Sequence, residues 1–128
     1  MTEQEKFLLI KDLSARLPYQ PYILIKNEER GVLESITVLE GGCFAEVWWD
    51  GFNYDIEKIK PYLRPMSSMT EEEKKEYKLL CDYYMDNKEI KHYFNNIATI
   101  DWYYQKYFDC RGLIKLGLAL EAPEGMYK

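Results

Sequence analysis

Three observations predict an α+β fold for this 128-residue chain: an amphipathic stretch ahead of the first proline, short apolar runs separated by glycine-bearing turns, and a sharply capped helix start at Thr70. The expected architecture is an N-terminal helix, then a small four-stranded antiparallel sheet curled into an SH3-like barrel or an open curl. C-terminal helices pack on that sheet. A chain of this length buries enough surface for one core, so residues 1–128 read as a single domain. It has a helix-plus-sheet lobe over 1–65 and a mainly helical lobe over 66–128.

Residues 3 to 17 carry Phe7, Ile10, Leu13 or Ser14, and Leu17 at helical spacing. Thr2 followed by Glu3 and Glu5 suits a helix start, and Pro18 ends the helix by pushing its predecessor from helical angles. Tyr22–Asn27 is a short β-branched strand, and Glu28–Gly31 a charged turn. In Val32–Leu39, Val32, Ile36 and Val38 share one face with Glu34, while Leu33 and Leu39 lie on the other. Gly41-Gly42 supplies a hairpin turn before Cys43–Trp49. Asp50-Gly51 supplies a second turn before Phe52–Ile56.

The segment Glu57–Pro65 has two prolines and reads as a stiff, non-helical bridge to the second half. Thr70 and Glu73 form a capping-box pattern, with three glutamates in the first turn where the helix dipole favours them. Tyr77, Leu80, Cys81 and Tyr84 line one face of that helix. Lys88–Asn96 is ambiguous between a short helix and a loop. Thr99 is a candidate cap for a further helix in which Tyr103, Tyr107 and Ile100 share a face, broken at Arg111-Gly112. Leu113–Leu120 is apolar at nearly every second position, and the tail Ala122–Lys128 contains proline and glycine.

Composition narrows function by exclusion. The 17 basic and 22 acidic residues leave a net charge of −5. That charge is spread evenly, with 8 basic against 11 acidic residues through Arg64 and 9 against 11 after it. Phosphate-backbone binding needs clustered Lys and Arg, so generic nucleic-acid binding is disfavoured. Cys43, Cys81 and Cys110 are odd in number and far apart, which suits free thiols in a reducing cytoplasm. The N-terminus lacks a basic region followed by a long apolar stretch, and no apolar run is long enough for a membrane span. A cytoplasmic location without membrane attachment is expected.

No pattern of residues demands a cofactor, a metal or catalysis. His92 is the sole histidine, and one histidine with three scattered cysteines does not make a zinc site. Glu71, Glu72 and Glu73 are explained by the helix start, and Asp50 by its turn. Asp55 flanks the same hairpin. No glycine-rich phosphate loop and no nucleophile elbow is present.

The unexplained feature is aromatic. Aromatic residues make up 16 % of the chain, with 12 tyrosines against 5 phenylalanines and 3 tryptophans. A tyrosine ring is apolar and its tip polar, which suits half-buried recognition surfaces. Trp48, Trp49, Phe52 and Tyr54 surround the second hairpin, and alternation sends Trp48 and Trp49 to opposite faces. Trp102, Tyr103 and Tyr104 span most of a helix circumference, so at least one must leave the main core. These seven residues form the candidate interaction surface.

Two segments, Ile59–Tyr77 (IKPYLRPMSSMTEEEKKEY) and Asp109–Lys128 (DCRGLIKLGLALEAPEGMYK), resemble a family of small uncharacterised proteins common in gut Bacteroides genomes, in phage or mobile-element contexts. The resemblance spans the sheet-to-helix junction, the capped helix and the C-terminus. It implies a setting, and it implies no activity and no catalytic residues. The functional expectation is a non-enzymatic interaction module or phage accessory protein with a host or phage protein partner. The alternatives are an acidic inhibitor of a host nucleic-acid-binding or defence protein, and an enzyme of unrecognised type. Exposed strand edges would also allow a homodimer.

Overall fold

The computed structural model describes residues 1–25, 29–47, 52–85 and 98–127. Its first element, α1 (Glu3–Arg16), opens with a complete capping box. The Thr2 hydroxyl accepts the Glu5 N–H, and the Glu5 carboxylate accepts the Thr2 N–H, both at 3.1 Å. Such a cap contributes about 1 kcal/mol by satisfying amides the first turn leaves without partners.

The buried face of α1 is Leu9, Asp12, Leu13 and Arg16. This corrects the expected face: Phe7 is 68 % exposed, and Ile10 and Leu17 are only half-buried. The run FLLI is apolar around a whole turn, so spacing alone leaves the rotation of the helix open. The rotation is set by burial of Asp12 and Arg16 as a pair, a choice that no hydrophobic pattern encodes.

Among the described residues six strands follow: β1 (Tyr22–Leu24), β2 (Arg30–Leu39), β3 (Gly42–Val47), β4 (Asn53–Asp55), β5 (Lys60–Leu63) and β6 (Leu120–Glu121). They lie in the order β4-β3-β2-β1-β5-β6, antiparallel except for the parallel β5–β6 pair. The sheet is therefore open, mixed and six-stranded rather than a four-stranded antiparallel curl. The expected meander corresponds to β1–β4. The Gly41-Gly42 turn is shifted by one residue, because Leu39 pairs with Gly42 and leaves Glu40 and Gly41 as the loop. The Asp50-Gly51 turn lies outside the described residues. Val38 and Leu39, at the outer end of β2, are 66 % and 59 % exposed.

The missed strand is β5, in the proline-containing bridge. Ile23 faces Pro61 and Leu24 faces Lys60 across the β1–β5 ladder. Antiparallel neighbours alternate between hydrogen-bonded and non-bonded positions. A proline fits the non-bonded position, where its missing N–H would point away from β1. On that far side β6 pairs only from Tyr62 onwards, so no ladder bond is lost.

Close approach inside the sheet requires glycine at position 31. A Cβ placed there would lie 2.4 Å from Cγ1 of Val47, a side chain that is itself buried. Gly31→Ala is expected to cost about 1–3 kcal/mol through overpacking between β2 and β3. A urea-denaturation midpoint unchanged from the wild type would contradict this.

Two further helices lie among the described residues. The helix α2 (Glu71–Met85) starts on the predicted box, with Glu73 N–H to Thr70 Oγ1 and Thr70 N–H to Glu73 Oε1 both at 3.1 Å. Tyr77, Leu80 and Cys81 are half-buried as expected, and the Tyr84 side chain lies outside the described residues. Residues 98–105 form α3, and residues 88–96, His92 among them, lie outside the described residues. Thr99 lies within the helical residues and is buried, rather than standing at a cap.

The helix α3 ends before Arg111-Gly112, at Tyr107, which has φ 65°. Phe108 N–H reaches back to the Tyr103 carbonyl at 2.9 Å and Tyr107 N–H to that of Tyr104 at 3.0 Å. These two bonds close a Schellman motif with tyrosine at the position that usually takes glycine.

One apolar cluster joins α1 (Leu9, Leu13), the sheet (Ile23, Leu33, Ala45, Val47, Leu63) and the late segment Leu113, Leu118 and Ala119. No helix among the described residues is long and apolar enough to cross a membrane.

Candidate functional site

The expected interaction residues are placed in different ways. Trp48 and Trp49 lie outside the described residues. Phe52 is 66 % exposed and Tyr54 is half-buried beside the main core. Trp102 and Tyr104 are each 5 % exposed, so they are not available on a surface, and Tyr103 is half-buried.

The reason is that α3 is covered on more than one side. Towards α2, Trp102 lies 5.3 Å from the Tyr77 ring and donates its indole N–H to Glu76 at 3.1 Å. Tyr103 stacks on the same Tyr77 ring at 5.2 Å. Tyr104 instead meets α1: the Arg16 guanidinium lies 4.8 Å from its ring centre, and Arg111 Nε donates to its hydroxyl at 2.9 Å. Three consecutive aromatics on a helix do diverge, but towards other parts of the same chain.

A different aromatic group surrounds a cleft of about 570 Å³, within the usual range for binding sites. Its tyrosines come from four segments: Tyr19 from the turn after α1, Tyr22 from β1, Tyr107 from the end of α3, and Tyr127 from the tail. Tyr107 and Tyr127 stack with ring centres 3.7 Å apart and planes 8° from parallel, and Tyr22 lies 5.6 Å from Tyr127. The Tyr107 hydroxyl donates to the Tyr19 carbonyl. The Tyr19 hydroxyl donates to Asp101 at 2.8 Å. Its bond to Asp101 holds the Tyr19 hydroxyl above its ordinary pKa, and burial does the same for Tyr107 and Tyr127. All three phenols stay neutral at physiological pH, and the charge lining the cleft comes from Arg64, Glu73 and Lys106.

Backbone strain falls on the same cleft. Among the described residues, Gln20 (φ 46°) and Tyr107 (φ 65°) are the two non-glycine residues with positive φ, and both line it. Each carries a cost of order 1 kcal/mol that surrounding contacts must offset, and such strain concentrates at ligand sites.

Arg64 lines both this cleft and a second cavity of about 560 Å³, which Glu73 and Tyr127 also line. Its guanidinium makes a two-pronged pair with Glu73 at 2.6 and 2.8 Å and lies 4.2 Å from the Phe108 ring centre. It also donates to the carbonyls of Ser68 and Lys106. Arg64 is therefore a structural clasp between sheet, α2 and α3, with little donor capacity left for a ligand.

The Arg64 hydrogen bond, with help from Thr70, holds the Glu73 carboxyl at about 2, well below its ordinary 4.5. A lowered carboxylate pKa contributes stability at pH values above the unfolded value, and that stability is lost as pH falls towards the folded value. The clasp is thus expected to weaken between about pH 4.5 and pH 2. Glu73→Gln should remove that component, which amounts to about 1 kcal/mol after screening. Urea titrations at pH 7 and pH 3 test it: the variant should lose less on acidification than the wild type.

The described residues contain no cluster of three or more His, Cys, Asp or Glu side chains able to hold a metal ion. Cys43, Cys81 and Cys110 are free and half-buried, and burial pushes the Cys110 thiol upwards, which disfavours its nucleophilic form. Sequence reasoning missed Tyr19, Tyr22, Tyr107 and Tyr127 as a group. The available signal was the tyrosine surplus itself, since these positions are widely separated along the chain. The chain matches no protein-family model, no curated protein and no solved structure.

Proposed function

We propose that the protein is a non-enzymatic interaction module that binds an extended peptide in the tyrosine cleft. The observation that carries this is the convergence of Tyr19, Tyr22, Tyr107 and Tyr127 on one cleft that also holds two left-handed non-glycine residues, Gln20 and Tyr107. Aromatic grooves suit proline-rich segments, whose preformed extended helix lays apolar rings on tyrosines at little entropic cost. The order β4-β3-β2-β1-β5, with a short 3₁₀ turn at Ile56–Lys58 between β4 and β5, supports an SH3-like reading of the sheet. The partner is a host or phage protein in the mobile-element setting that the sequence resemblance suggests.

The test is a library of fluorescent proline- and aromatic-containing peptides titrated against the full chain by polarisation. Gln105 is exposed at the cleft rim, so Gln105→Arg intrudes on the cleft without touching the core. Selected peptides should bind at micromolar dissociation constants and lose about tenfold with Gln105→Arg, equivalent to roughly 1.4 kcal/mol. Absence of any binder, or binding that ignores this variant and Tyr22→Ala alike, would overturn the proposal.

A further inference from the structure

The tail does more than border the cleft. Ala122 N–H bonds the Leu63 carbonyl at 2.8 Å, and a turn closed by Met126 N–H to Pro123 O at 3.1 Å sends the chain back across the sheet. The Tyr127 ring then enters between Tyr22 and Tyr107. Its hydroxyl accepts the Tyr22 N–H at 2.9 Å and donates to the Tyr62 carbonyl at 2.7 Å.

Those two backbone groups belong to neighbouring strands. One residue along the register from Ile23↔Pro61, Tyr22 stands opposite Tyr62. If Pro61 holds a non-bonded position, Tyr22 and Tyr62 hold a bonded one, where N–H and carbonyl would ordinarily meet directly. The Tyr127 hydroxyl is inserted at that point. Withdrawal of Tyr127 leaves neither of these two groups an orphan, because they can close on each other. The end of the β1–β5 ladder thus has two satisfied arrangements, one with tyrosine inserted and one without.

The strap can leave at modest cost. Pro123, Glu124 and Gly125 are exposed, and the strap contributes nothing to the main apolar cluster. It also divides space: Tyr127 is a wall of both cavities, so its departure would join them into one groove above Arg64 and Glu73.

From this geometry we infer that residues 122–127 are a displaceable strap that occupies the binding groove in cis. The partner is an extended peptide whose own tyrosine replaces Tyr127 between Tyr22 and Tyr107. The inference rests on the peptide-binding reading above and specifies its ligand and its regulation. The chain's own Ala-Pro-Glu-Gly-Met-Tyr segment, seated there, shows the chemistry the groove accepts: a proline, a turn, and a terminal aromatic with a hydroxyl.

The experiment titrates fluorescein-labelled Ala-Pro-Glu-Gly-Met-Tyr-Lys against the 128-residue wild type, Tyr127→Ala and Tyr127→Phe. A strap closed in about nine molecules of ten weakens binding in trans about tenfold. Tyr127→Ala should therefore bind the probe about tenfold more tightly than the wild type. A probe with alanine in place of its tyrosine should not bind it. Tyr127→Phe keeps the ring and drops only the bridging hydroxyl, and serves if the alanine variant does not fold; its affinity should rise about threefold. Equal binding by wild type and variants, or no binding by a folded Tyr127 variant, overturns the strap. If library peptides bind wild type and Tyr127→Ala equally yet are lost with Gln105→Arg, the cleft reading survives and the strap alone fails.

Discussion

Replacing Arg16 with leucine should lower stability by about 3–5 kcal/mol, the largest effect expected of any polar residue here. Arg16 and Asp12 are both fully buried. Arg16 Nε donates to Asp12 Oδ2 at 2.7 Å and Nη2 to Oδ1 at 3.2 Å, while Nη2 also reaches the Phe108 carbonyl at 2.7 Å. Arg16→Leu leaves a buried carboxylate whose remaining ion-pair partner is Arg111 at 3.5 Å, together with a Phe108 carbonyl that keeps the Cys110 N–H at 3.0 Å but loses the guanidinium. The guanidinium is itself imperfectly served, since Nη1 has no hydrogen-bond partner among the described residues. A buried pair of this kind is costly to break and gains little over an apolar replacement. Asp12→Leu combined with Arg16→Met should therefore cost less than the sum of the two single variants, by about 2 kcal/mol. Urea midpoints at constant m-value measure the cycle, and strict additivity would refute the coupling.

Phe108→Ala is the second large effect, about 3–5 kcal/mol for removal of a fully buried ring. Phe108 is where the late segment meets the sheet. Its ring stacks on Trp102 at 5.8 Å and carries the Arg64 guanidinium on its face. Its backbone forms a parallel bridge with Arg64 and accepts Arg16. The alanine variant should free the Arg64–Glu73 clasp along with the α3 contacts, so its remaining stability should show little dependence on Glu73 ionisation. Phe108→Leu, which keeps much of the volume, should cost less than about 1.5 kcal/mol. Equal losses for the two variants would show that ring packing is not the main contribution.

Much of the local structure was legible because its causes are local. The helix caps at Thr2 and Thr70 involve residues three apart, and the strands of the meander follow from alternating apolar residues and, between β2 and β3, a glycine turn. The strand β5 was hidden because Pro61 argues against a strand unless its ladder position is known, and position is a property of the pair. The rotation of α1 was hidden because an apolar turn at residues 7–10 fits several faces. The pair at Asp12 and Arg16 decides among them only through a carbonyl 92 residues away.

The candidate site shows the same division. From composition alone came the surplus of tyrosine and the absence of a catalytic or phosphate-binding motif. Local spacing also implied that Trp102, Tyr103 and Tyr104 diverge. Only the tertiary structure decided that Trp102 and Tyr104 are internal, and that Tyr19, Tyr22, Tyr107 and Tyr127 meet instead. The physical reason is one of range. Helix caps, turns and alternation are free-energy terms among neighbours, whereas a cleft exists only when distant segments are held together by shared burial. Here that burial is supplied by Phe108, the Asp12–Arg16 pair and the Arg64–Glu73 clasp, contacts whose partners the order of residues does not name.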